Sequence, residues 1–139
     1  MTTYVLDTNI ISFYLKGNET VGTNITCALL NEDSIVVAPI AYYEVKRGLM
    51  AVGARRQLKE FDDFCALFGV GEFDNSMLDM AAAIYAGQRK AGHVMEDADI
   101  FIAAFCKNRN FALVTNNTRH FEHIHGLKLV DWTLVYKEE

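Results

Sequence analysis

Four short apolar runs, "YVL", "SIVVA", "FALVT" and "LKLVDW", recur along a chain whose intervening stretches mostly carry helical period, and this alternation constrains the fold more than any other feature. Strands separated by helices join through right-handed crossovers, which place helices on both faces of a parallel sheet. The expectation is therefore an α/β fold: three layers, α/β/α, around a mainly parallel central sheet of four to five strands. The fifth candidate strand is the short "GVGEF". In such sheets ligands bind at the carboxyl ends of the strands, near the point where strand order reverses.

The helices follow from spacing and from their ends. "NIISFYLKG" reads as a helix ending near Gly17, and "VGTNITCALLNE" as a second. "PIAYYEVKRGLM" opens on Pro39, which suits a first helical turn because its missing N–H would have no partner there. Helical period also runs from Ala54 to Phe68, through "SMLDMAAAIYAGQRKAG" to Gly92, and through "DADIFIAAFCKNR". "NNTRHFE" reads as a turn or short helix before a last edge strand.

With 139 residues, one proline and no repeat or low-complexity run, the chain is expected to be a single domain, 1–139. Apolar residues make up 51% and charged ones 22%, without any run approaching the roughly 18 apolar residues of a membrane helix. The N-terminus reaches Asp7 and Asn9 before any apolar signal region forms, so a cytoplasmic protein is expected. Cys27, Cys65 and Cys106 are odd in number and lack CxxC spacing, and no disulfide is expected. A net charge of −5 argues against strong indiscriminate nucleic-acid binding but leaves room for a local basic patch.

Three acids do not fit a solvated surface. Asp7 follows directly on the apolar "YVL", at the carboxyl end of a strand, where it is either a helix cap or part of a site; Thr8 and Asn9 can cap as well. Glu44 lies at the margin of the stripe Ala41, Val45 and Leu49, with Gly48 one turn later opening space beside it. Asp99 heads an inward stripe, since Ile102, Ala103 and Cys106 stand three, four and seven residues on. A carboxylate facing inward must be paired, protonated or bound to a cation. Thr115 ends a strand with a hydroxyl able to reach Asp7 or a bound water, and Asn116 and Asn117 follow it. Acids gathered without an obvious cation repel unless a divalent ion intervenes. Hard oxygen donors with open positions suit Mg²⁺ or Mn²⁺ and point to metal-dependent phosphoryl transfer.

"VLDTNI", "YYEVKRG", "DADIFIAA" and "LVTNNTRHF", in this order, resemble the PIN-domain ribonucleases, specifically the VapC-type toxins of bacterial toxin–antitoxin pairs. The resemblance spans nearly the whole chain. It implies that Asp7, Glu44 and Asp99 are the acidic ligands of Mg²⁺, with Mn²⁺ as a substitute, in an RNA-hydrolysing site. Asn117 falls where many members carry a fourth acid, and Asp99 or Asp7 would orient the attacking water. It implies further a VapB-type antitoxin partner, with "ISFYL" and "GLMAV" as walls of its groove, and a homodimer. The tail "TNNTRHFEHIHGLKLVDW" looks most like the branch that cuts initiator tRNA. Lys46, Arg47, Arg55, Arg56 and Lys59 form a candidate RNA-steering patch, or else a solvated helix face.

Other classes compete with this resemblance. A haloacid-dehalogenase-type phosphatase needs DxD, and here the second position is Asn9. A receiver domain needs a late-sheet Lys where Asn116 stands. His120, His123 and His125 form a weak zinc candidate without cysteine nearby. A stand-alone PIN nuclease, or a metal-binding module that cuts nothing, remains open.

Overall fold

A computed structural model describes residues 1–135. Its elements run β1 (Thr3–Leu6), α1 (Thr8–Leu15), α2 (Glu19–Leu30), β2 (Ser34–Val36), α3 (Pro39–Val52), α4 (Arg55–Phe68), α5 (Asn75–Lys90), α6 (Asp97–Arg109), β3 (Ala112–Val114) and β4 (Lys128–Val130), with a 3-10 turn at Thr118–His120. The sheet is four-stranded, in the order β2-β1-β3-β4, and every pairing is parallel. The chain steps from β1 to β2 on one side and then crosses to β3 on the other. Right-handed crossovers in opposite directions lie on opposite faces, and the crevice of a parallel sheet opens where the direction reverses. Here that place is between β1 and β3.

The expected fifth strand does not form. Around "GVGEF" only Val70 pairs, in a single parallel bridge to Val37. Gly69 ends α4 with φ +85, a left-handed conformation open to glycine, so the chain turns abruptly into this segment. Gly71 then lies so close to the Phe105 ring that a Cβ there would stand 2.5 Å from it. The backbone is held down by an aromatic ring rather than by a strand ladder.

Val5, Leu6, Leu113 and Val114, the middle of the sheet, are at most 1% exposed. They join one continuous core with Ile10 and Ile11 of α1, Phe61 of α4, Met77 of α5 and Ile102 to Cys106 of α6. Continuous burial on both faces is what parallel strands between helix layers require. Phe121 and Ile124 are buried too, fastening the loop after β3 beneath the end of the sheet. Burying each such side chain contributes about 1.5–3 kcal/mol. The cysteines are all free thiols: Cys106 is buried, Cys65 partly so, and Cys27 lies exposed on α2. Among the described residues no helix is long and apolar enough to cross a membrane.

Candidate active site at the carboxyl edge of the sheet

The pairing of β1 with β3 sets Leu6 opposite Val114, so Asp7 and Thr115, one residue further along each strand, leave the sheet side by side. The Asp7 backbone N–H donates to the Val114 carbonyl at 2.9 Å. Thr115 is fully buried, and its hydroxyl donates to Asp7 Oδ2 at 3.0 Å. The other carboxylate oxygen, Oδ1, accepts the Thr8 backbone N–H at 2.8 Å and caps α1. Asp7 is thus the helix cap and also faces the site, and Thr8 and Asn9, which could have capped instead, do not. Both of those residues lie inside α1.

Thr8 has a different task. Its hydroxyl donates to Glu44 Oε1 at 2.8 Å, tying the start of α1 to the middle of α3. Nothing in the sequence pattern signals this link, because it joins positions 36 residues apart. Glu44 sits on α3 with Ala41 and Val45 buried beneath it, and Arg47 approaches its second oxygen at 3.7 Å. Gly48 is exposed, and a Cβ there would meet nothing. The space expected beside Glu44 is present.

Asp99 stands in the first turn of α6 above buried Ile102, Ala103 and Cys106, as its spacing predicts. Its side chain is 28% exposed, and His120 Nδ1 lies 3.5 Å from Oδ2, an ion-pair distance when the ring is protonated. His120 comes from the 3-10 turn that Phe121 anchors. Asn117 belongs to the same turn: its backbone N–H donates to Thr115 Oγ1 at 3.0 Å, and its amide nitrogen stands 2.8 Å from His120 Nδ1. Asn117 therefore braces the strand end and His120, and His120 is the residue that reaches Asp99. The sequence offered His120 only as a zinc candidate. His123 is stacked on His93 instead, and among the described residues no three His, Cys, Asp or Glu side chains form a metal-holding group.

The electrostatics single out two acids. Burial pushes the Asp7 carboxyl above the ordinary value of 3.8; the Thr115 hydroxyl and the Thr8 N–H pull it back, and the charges of Asp99 and Glu44 push it up again. Burial also raises Asp99, against the pull of His120 and with further repulsion from Glu96 and Glu44. The three acids feel one another across the crevice, with His120 beside Asp99 and Arg47 beside Glu44. Cations that need few protein ligands fit this set. Mg²⁺ is commonly held by one or two carboxylates, with water or phosphate oxygens completing its shell, and the donors at this edge are carboxylate oxygens.

Four of the five cations of the expected basic patch stand near acids. On α3 and α4, Lys46 approaches Asp62 at 3.5 Å, Arg56 approaches Glu60 at 3.2 Å and Lys59 approaches Asp63 at 3.3 Å. Arg47 lies over the Tyr43 ring as well as near Glu44, and Arg55 begins α4. A groove of about 1060 Å³ lies between α1, α2 and α4 and touches none of the three acids. A smaller cleft of about 540 Å³ does reach Asp99.

The pattern of the family described as "PIN domain" matches residues 4–127. The chain belongs to the PIN-domain family. Among relatives of this PIN domain, the tRNA(fMet)-specific endonuclease VapC of Shigella flexneri is 29% identical over 96% of the chain and 100% of that protein. Ribonuclease VapC1 of Haemophilus influenzae is 27% identical over 94% of the chain and 98% of its own length. In solved structures, VapBC-1 of nontypeable Haemophilus influenzae superposes with a TM-score of 0.83 at 25% identity, covering 96% of this chain and 100% of that one. The DNA-bound VapBC of Salmonella typhimurium gives 0.84 at 25% identity, covering 95% and 99%. PIN membership removes the phosphatase and receiver readings.

Proposed function

We propose that this PIN domain, spanning 1–139, is a metal-dependent endoribonuclease that hydrolyses RNA phosphodiester bonds and forms the toxin half of a pair with a VapB-type antitoxin. One observation carries the reading: Asp7, at the carboxyl end of β1 beside β3, is desolvated and feels the charges of Asp99 and Glu44, and Asp99 is desolvated too. Asp7, Asp99 and Glu44 would hold Mg²⁺, or Mn²⁺ in its place. When bound, such an ion lowers the pKa of a water and offsets charge building on the phosphate.

The chain's own groups set the positions. Thr115 and the Thr8 N–H hold both oxygens of Asp7, the Thr8 hydroxyl holds Glu44, and His120 with Asn117 braces Asp99. The end-to-end likeness to a tRNA(fMet)-specific endonuclease supports tRNA, and initiator tRNA first, as substrate. The likeness to VapBC assemblies supports a VapB-type partner. The groove between α1, α2 and α4 suits an amphipathic antitoxin segment. Tyr14 and Leu15 of "ISFYL" line it with Ile25, Leu29 and Phe64, whereas no residue of "GLMAV" does. Exposed Leu78 and Tyr85, seven residues apart on α5, offer an apolar patch for a homodimer.

The test is cleavage of a tRNA pool by the purified chain. Mg²⁺ should support cutting, EDTA should stop it, and Asp99→Asn should lower the rate by more than about a hundredfold. Undiminished cutting in EDTA, or by Asp99→Asn, overturns the assignment.

A further inference from the structure

The cleft beside Asp99 extends past the acidic cluster to residues that the cluster does not use. Its lining includes Asp99 and Glu96 of the active-site edge, then His93, Arg119, His120 and His123. His93 and His123 are stacked, ring centroids 3.9 Å apart and planes 13° from parallel. The stack joins two separate stretches of chain: His93 follows α5, and His123 follows the 3-10 turn. Two supports hold it in place. Gln88 near the end of α5 donates its side-chain amide to the His123 carbonyl at 3.2 Å, and Ile124, the next residue, is buried. Neither support uses the imidazole of His123, whose Nε2 lies 3.9 Å from Glu122 Oε1 and whose side chain is 46% exposed.

Arg119 adds the charge. It is exposed, and among the described residues it has no ion-pair partner, unlike Arg47, Arg56, Lys46 and Lys59 of the α3–α4 face. An exposed cation without an ion pair among the described residues, a flat aromatic pair and the acids Glu96 and Asp99 lie along one cleft of about 540 Å³. That is within the size range of clefts for small ligands, about 300–1,000 Å³. Proteins that hold single-stranded nucleic acid combine these two elements, cations that follow the backbone and rings on which unpaired bases stack.

We propose that this cleft is the RNA subsite next to the reacting phosphate: an unpaired base stacks on the His93–His123 pair while Arg119 takes a backbone phosphate. The assignment rests on the nuclease reading and gives it a strand path. The substrate entering here is single-stranded, because a base already paired and stacked within a duplex presents no free face to the histidines. A hairpin loop meets that requirement, and a continuous helix does not. Glu96 at the rim repels phosphate, so the backbone passes on the Arg119 side.

The test measures binding apart from cutting. A fluorescein-labelled, unstructured oligoribonucleotide is titrated by anisotropy in EDTA, at one fixed pH, against the full chain. The double variant His93→Ala with His123→Ala should bind about tenfold more weakly, the loss of roughly one base stack. His93→Phe with His123→Phe should restore affinity, since a phenyl ring keeps the stacking face. Arg119→Ala should flatten the dependence of log affinity on log salt by about 0.7, the share of one phosphate contact on a single strand. The same RNA annealed into a duplex should bind the parent and the double alanine variant alike. Two results overturn the subsite: the double alanine variant binding the single strand as tightly as the parent, or the phenylalanine pair failing to restore what alanine removes. If the parent cuts RNA and either result is found, the nuclease stands and the cleft falls. If the parent binds through the cleft yet cuts nothing with Mg²⁺, the cleft stands and the nuclease reading falls.

Discussion

Asp7 and Asp74 do the same local work and live in opposite surroundings. Each caps a helix, Asp7 by accepting the Thr8 N–H and Asp74 by accepting the Met77 N–H at 3.0 Å. Around Asp74 every other neighbour is favourable: the Ser76 hydroxyl donates at 2.6 Å and Arg109 pairs at 3.1 Å. Its carboxyl is held below the ordinary value, first by Ser76. Asp7 is buried and faces Asp99 and Glu44, and its carboxyl is pushed up. A cap needs only an acceptor at a helix start, so the surplus strain on Asp7 serves something other than the helix. Sites that hold an ion or a reacting group are where such strain is retained.

The largest effect expected separates the two caps outright. Asp7→Asn should abolish RNA cleavage, by more than about a hundredfold, while Asp74→Asn leaves it unchanged. Without metal the order of stability reverses. Asparagine still caps α1 but removes a desolvated charge facing two others, so Asp7→Asn should melt at or above the parent, and Asp74→Ala below it. Calorimetry in EDTA reads both, and a marked fall in melting temperature for Asp7→Asn would mean that the charge of Asp7 stabilises the fold.

Thr115→Val comes next in size. The valine keeps the buried volume and removes the donor that favours the charged form of Asp7, so Mg²⁺ should bind about tenfold more weakly, as read by the rise in melting temperature on adding the ion. An unchanged rise would place the ion away from Asp7.

The smallest effect is the dependence of stability on pH. Asp7 carries a proton more readily in the folded chain than in the unfolded one, so the folded state binds more protons in the window just above 3.8. Its share of stability is therefore greatest in acid and declines as pH rises through that window. Asp74, whose carboxyl is depressed, contributes the opposite slope, present above 3.8 and lost as pH falls through its lowered value. The difference in melting temperature between parent and Asp7→Asn in EDTA should thus grow as pH rises out of the window. A constant difference would show that burial does not tax the charge on Asp7.

Much of this was readable in advance, and for identifiable reasons. The helix "DADIFIAAFCKNR" runs over the residues its period indicates, Asp97–Arg109, because one inward stripe spans its length. β1 and β3 follow from runs too apolar and too short for anything else. "GVGEF" misled because two glycines make a segment whose conformation depends on neighbours, here the Phe105 ring. On α3 and α4, Lys46, Arg56 and Lys59 each lie near an acid, Asp62, Glu60 and Asp63, and such pairing depends on rotamers and on how the two helices pack, which residue spacing does not carry.

The sequence by itself determined the parallel α/β class and the oddity of Asp7 and Asp99, since hydrophobic period and an unexplained charge are local properties that a string of residues carries. Only the tertiary structure decided that Asp7 is a cap as well as a site residue, that Thr8 steadies Glu44, and that His120 meets Asp99 while His123 stacks on His93. Each of those is a contact between elements, set by strand register and by how the buried Phe121 and Ile124 seat one loop against the sheet, and no periodicity encodes it.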